Sequence, residues 1–89
     1  MAIRLAVLLS GSGTTLQNII EHIDQGKLDA EVVCVISSRA NAYGLERARN
    51  HRIPAIALPF KQFPDSAAFN LAIWDEVRKH NADLVVLAG

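Results

Sequence analysis

Apolar residues fill positions 3–9 almost without interruption, Arg4 apart. A short run of this kind is expected of a strand covered on both faces, so it predicts an interior first strand. The period then changes. Leu16, Ile19, Ile20 and Ile23 recur at helical spacing with Gln17, Asn18, Glu21 and Asp24 opposite them, and Gly26 supplies a stop. A second apolar run over 31–37, centred on Val32-Val33-Cys34-Val35-Ile36, predicts another buried strand. Asn41 is placed to cap a short helix with Leu45 and Ala48 facing inward, which ends before Pro54. Residues 55–58 make a brief third strand between Pro54 and Pro59, and 60–65 a loop. Asp65 or Ser66 then caps a third helix that turns Phe69, Ala72, Ile73 and Val77 toward the sheet. Residues 83–89, with Leu84-Val85-Val86-Leu87 at their centre, predict a fourth strand.

The resulting order, β-α-β-α-β-α-β with short connections, implies an α/β, Rossmann-like, three-layer fold with a parallel sheet and right-handed crossovers. The expected strand order is 3-2-1-4. In such sheets ligands bind outside the carboxyl ends of the strands, where the order reverses. That switch point lies between strands one and four.

Composition narrows the functional classes. The 89 residues are 51% hydrophobic and carry nine basic against nine acidic side chains, with no run of either sign. Nothing in this balance draws nucleic acid or an anionic membrane surface, and no apolar run is long enough to span a bilayer. The single Cys34, inside an apolar run, reads as a small core hydrophobe, and a reducing cytoplasm is the expected location. His22, His51 and His80 have no evident partner acid or nucleophile, and no metal-ligand set is visible. Asp75 and Lys79 stand at the favourable i,i+4 spacing on the wet side of the third helix.

The chemistry concentrates in Ser10-Gly11-Ser12-Gly13-Thr14-Thr15-Leu16-Gln17, between strand one and helix one. Glycines let backbone approach an anion closely, and a helix N-terminus offers unpaired N–H groups at the positive end of its dipole. The plainer alternative is a tight βα turn with Thr14 or Thr15 as N-cap. A dinucleotide fingerprint needs a third glycine where Leu16 stands and an acid after strand two, where the chain has Ser37-Ser38-Arg39. Arg39 facing a 2′-phosphate keeps an NADP- or mononucleotide-binding half-domain open as the alternative. A Walker loop is excluded because no Lys-Ser or Lys-Thr follows the glycines.

Four segments together resemble the phosphoribosylglycinamide formyltransferase family: Ala6-Val7-Leu8-Leu9-Ser10-Gly11-Ser12-Gly13-Thr14, Leu16-Gln17, residues 37–48 containing Asn41-Ala42-Tyr43-Gly44-Leu45-Glu46-Arg47, and residues 83–89 ending Ala88-Gly89. The resemblance implies transfer of a formyl group from 10-formyltetrahydrofolate, as co-substrate, to the amine of glycinamide ribonucleotide in purine biosynthesis. By position, Gly11, Ser12, Gly13, Thr14 and Thr15 would bind the substrate phosphate. Ser10, Ala88 and Gly89 would edge the active-site crevice. Two positions depart from the family pattern: Thr15 stands where members often carry Asn, and Ala67 where some carry a folate-contacting Arg. The family's catalytic Asn, His and Asp lie further along a longer chain, so none is assigned here. Residues 1–89 are therefore expected to be the N-terminal, nucleotide-binding half, inactive alone and completed by a C-terminal half or a second chain. The apolar edge of strand 84–87 is expected to pair with such a partner or with another copy.

Overall fold

The computed structural model describes residues 2–88. Its elements are β1 (Ile3–Leu9), α1 (Thr14–Asp24), β2 (Ala30–Ser37), α2 (Tyr43–Asn50), β3 (Ala55–Ala57), α3 (Ser66–Lys79) and β4 (Leu84–Leu87). The four strands form one sheet in the order β3-β2-β1-β4, every pair parallel. The interior position of β1 and the reversal of order beside it are as the sequence predicts. Within the expected loop 60–65, Phe60–Gln62 winds into a short 3₁₀ turn. The third strand is three residues long rather than four, although the Leu58 N–H still donates to the Ser37 carbonyl at 2.8 Å and carries the ladder one step further.

Alternation along the strands divides the core in two. Val7, Leu9 and Val35 point to the side covered by α1 and α2, where Leu16, Ile20, Ala42, Leu45 and Ala48 meet them. Ala6, Cys34 and Ile36 point to the side of α3, where they meet Val77 and, at its margin, Ile73. These are the three layers. Period-two alternation alone would put Val32 with Cys34 and Ile36, yet Val32 belongs to the α1/α2 core. The register between β1 and β2 shifts between Leu5 and Ala6, pairing Leu5 with Val32 and Ala6 with Cys34. Val33 is thus an extra residue, and a single insertion exchanges the faces of everything beyond it.

Neither the expected cap of α2 nor the alternative offered for α1 is the one used. The N-cap of α2 is Ala42, not Asn41, and no side chain bonds there. The reason is tertiary: the Gly44 N–H, a first-turn donor, is taken by the Gly11 carbonyl at 3.2 Å, so the helix start needs no polar side chain of its own. The N-cap of α1 is Gly13, not Thr14 or Thr15. Asp65 does cap α3, its Oδ1 accepting from the Ala68 N–H at 2.8 Å. On the wet side of α3, Asp75 pairs with Arg78 rather than Lys79. His80 does face an acid: its Nδ1 bonds the Glu76 carbonyl at 2.9 Å and lies 3.6 Å from Glu76 Oε2.

Candidate functional site at the carboxyl ends of the strands

The sheet delivers three chain segments to one edge. β1 runs into Ser10–Gly13, β2 into Ser37 and Ser38, and β4 into Ala88, whose N–H donates to the Leu8 carbonyl at 2.8 Å and so sits alongside Leu9. Buried Ser37 closes the end of β2, its hydroxyl donating to the Arg39 carbonyl at 2.9 Å and accepting the Arg39 N–H at 3.0 Å. Gly89, assigned to the crevice edge with Ser10 and Ala88, lies outside the described residues.

The loop between β1 and α1 takes its shape from α2. Gly13 adopts φ 81° and ψ 24°, a left-handed conformation that glycine enters without steric penalty. A Cβ at Gly13 would stand 2.6 Å from the Gly44 Cα and 3.1 Å from the Arg47 Cδ, so the backbones of loop and helix touch through two glycines. At Gly44 a Cβ would meet both Leu9 methyls at 2.6 Å. Arg47 Nε donates to the Ser12 carbonyl at 2.7 Å, and its guanidinium carbon lies 5.0 Å from the centre of the Tyr43 ring, one helical turn earlier. Sequence reasoning placed Gly44 and Arg47 only inside a matching segment and gave neither a role. The available signal was a glycine at the second position of a helix, where nothing local demands one.

The hydroxyls do not cap α1. Ser12 Oγ and Thr14 Oγ1 are 3.0 Å apart and bond each other. The Thr14, Thr15 and Leu16 N–H groups have no partner within the helix, because the first bond of α1 runs from the Gln17 N–H to the Gly13 carbonyl at 2.9 Å. Gly11, Ser12, Thr14 and Thr15 are exposed while Gly13 is buried against α2. The five predicted residues thus share one turn, four of them facing solvent and Gly13 facing α2. Leu16 is fully buried, so the position where a dinucleotide site needs a third glycine is committed to the core, and the NADP alternative loses its footing.

Beside this loop, on the α3 side of the sheet, a cavity of about 260 Å³ opens among Leu8, Ser10, Ile36, Ser38, Phe69 and Leu87. Phe69 meets Phe60 and Phe63 edge to face, with centroids 5.0 and 5.5 Å away, which fixes one wall. The lining holds no charged side chain. Elsewhere under α3, burial pushes the Cys34 thiol up from 9.0 to about 11, with the Glu76 carboxylate adding to the effect. Such a thiol stays protonated and is a packing group. No group of three or more His, Cys, Asp or Glu gathers among the described residues, and none of their helices is long and apolar enough to cross a membrane.

A reversal of strand order with a glycine-bounded loop beside it defines an open α/β sheet of the type that binds ligands at the carboxyl ends of its strands. Within that class the chain belongs to the formyl transferase family, whose model it matches over residues 3–89. It is 43% identical over 86 residues to the phosphoribosylglycinamide formyltransferase of Haemophilus influenzae, covering 97% of this chain and 41% of that protein. Among solved structures, glycinamide ribonucleotide transformylase 1 from Symbiobacterium toebii superposes with a TM-score of 0.94 at 43% identity, covering 99% of this chain and 42% of that one. The phosphoribosylglycinamide formyltransferase of Coxiella burnetii gives 0.95 at 40% identity over 100% of this chain and 42% of that one. The chain thus spans about two-fifths of the length of the relatives it matches.

Proposed function

We propose that this chain is the substrate-binding half of a glycinamide ribonucleotide formyltransferase, holding the substrate phosphate on Gly11, Ser12, Gly13, Thr14 and Thr15, with Ser10 and Ala88 at the edge of the reacting crevice. The observation that carries the proposal is the loop itself. Its glycine lies in the left-handed region, its hydroxyls bond each other rather than capping α1, and the first-turn N–H groups of α1 are left without partners in the helix. Such a row of donors at the positive end of a helix suits an exposed phosphate.

Moving a formyl group onto an amine requires a group to carry the amine proton and donors for the oxyanion that forms on the formyl oxygen when the amine adds to the carbon. The described residues at this edge provide hydroxyls and backbone donors, and the ionisable side chains beside them, Arg39 and Arg47, are guanidiniums that keep their protons and cannot take one from the amine. The neighbouring cavity, lined by apolar side chains and two serines, carries no charge to meet the carboxylates of 10-formyltetrahydrofolate, most of whose site would lie outside this chain. The chain binds substrate and, by itself, does not transfer the formyl group. The remaining structure must come from the rest of a longer protein or from a second chain. β4 suits that role, having β1 on one side and, among the described residues, no strand on the other.

Thermal-shift titration with glycinamide ribonucleotide, inorganic phosphate and NADP tests the reading, because a ligand that binds the native state raises its apparent stability. Glycinamide ribonucleotide is expected to stabilise most and phosphate less. A response to NADP alone overturns the proposal. Transformylation is expected only after a C-terminal half from a relative is added, and turnover by the purified chain would refute its inactivity.

A further inference from the structure

We infer that Arg47 is a positioning residue of the phosphate loop, acting through the Ser12 carbonyl to aim two backbone N–H groups at the ligand; this rests on the loop being a phosphate site. The peptides are all trans, so in each unit the N–H points opposite the C=O. The Gly11 carbonyl is held by the Gly44 N–H at 3.2 Å, and the Ser12 carbonyl by Arg47 Nε at 2.7 Å. Both acceptors are drawn toward α2. The Ser12 and Gly13 N–H groups, on the opposite sides of those two peptides, are turned away from α2, and neither has a partner among the described residues. They extend the row begun by the first-turn N–H groups of α1.

The two anchors differ in kind. The Gly44 contact is backbone to backbone and follows from the close approach of two glycines. The Arg47 contact depends on a side chain that is itself restrained, its guanidinium over the Tyr43 ring and its Cδ near Gly13. A planar, stacked guanidinium holds a carbonyl in one direction better than a flexible ammonium does. Without it, the Ser12–Gly13 peptide loses the partner of its carbonyl, and the left-handed Gly13 leaves that peptide free to rotate.

The test is a ¹⁵N-resolved NMR titration of the whole chain with inorganic phosphate, for wild type, Arg47→Gln and Arg47→Lys. In wild type, phosphate is expected to shift the Ser12, Gly13, Thr14 and Thr15 amides together. Arg47→Gln is expected to move the Ser12 and Gly13 amides already without ligand, to weaken phosphate binding tenfold or more, and to leave β1 and β2 resonances in place. Arg47→Lys is expected to restore part of the affinity and part of the ligand-free amide positions; should Arg47→Gln unfold, this variant alone decides, and wild-type behaviour in it overturns the inference. Unchanged Ser12 and Gly13 amides and unchanged affinity in Arg47→Gln overturn it while leaving the phosphate site standing. Weaker binding with unmoved ligand-free amides, abolished by salt in both proteins alike, overturns it in favour of a purely coulombic Arg47. No phosphate response in wild type overturns the phosphate reading together with the inference.

Discussion

The two faces of the sheet are finished to different degrees. On the α1/α2 side, Val7, Leu16, Val35 and Leu45 are fully buried in a continuous core. On the α3 side, Val77 is the one buried residue of its helix, while Leu71 and Trp74 are 62% and 51% exposed and Leu87, on the neighbouring edge strand, 79%. The loop between β1 and α1 is anchored on the finished side, through Gly44 and Arg47 of α2. The loop geometry thus rests on the closed face, and the cavity and the exposed edge of β4 gather on the half-covered one.

The largest expected contrast comes from equal truncations on the two faces. Leu45→Ala removes a fully buried side chain and is expected to lower stability by about 3 kcal/mol. Leu71→Ala, on the exposed side, is expected to change it by less than about 0.5 kcal/mol. Urea unfolding measures both, and similar losses would break the distinction.

Cys34 is where the α3 side is locally complete. Its thiol, pushed from 9.0 to about 11, keeps its proton in the folded state while the unfolded chain releases it from about pH 9. The stability it contributes is present below pH 9 and lost between about 9 and 11, by up to about 3 kcal/mol at about 1.4 kcal/mol per unit. Unfolding of wild type against Cys34→Ala across pH 8 to 11 isolates this slope, and parallel profiles would place the thiol in contact with solvent.

Gly13→Ala strikes the α1/α2 side alone, since it forces a left-handed alanine into 2.6 Å contact with Gly44. About 2 kcal/mol of stability is expected to go, together with the phosphate-induced thermal shift. Asp65→Ala removes the cap of α3 and is expected to cost about 1 kcal/mol in urea unfolding. Smallest is Leu87→Lys at the open edge, expected to leave stability within about 0.5 kcal/mol while reducing self-association in sedimentation velocity. A wild-type chain that remains monomeric at high concentration would show that the edge does not pair with itself.

Much of this was legible in the residue pattern. Strand and helix periods at 3–9, 16–23 and 31–37 predict the elements and place the Gly-rich turn at the reversal of order, because each signal is contained in a few consecutive side chains. Helix caps were read less well. Asn41 and the threonines are good local caps, but α2 begins against the Gly11 carbonyl and α1 begins at Gly13, so distant backbone displaced the local choice. The role of Arg47 was invisible for the same reason, its partner Ser12 being 35 residues away.

By itself, then, the sequence determined the order of elements, the parallel sheet and the place of the Gly-rich loop at the reversal of strand order, all of which follow from local periodicity and from the conformations open to glycine. Tertiary structure alone decided that Val33 bulges and moves Val32 to the α1/α2 core, that α2 turns the loop's carbonyls inward, and that the α3 face stays half covered. Those outcomes depend on which backbones meet across the sheet, and such pairings leave no period in the chain.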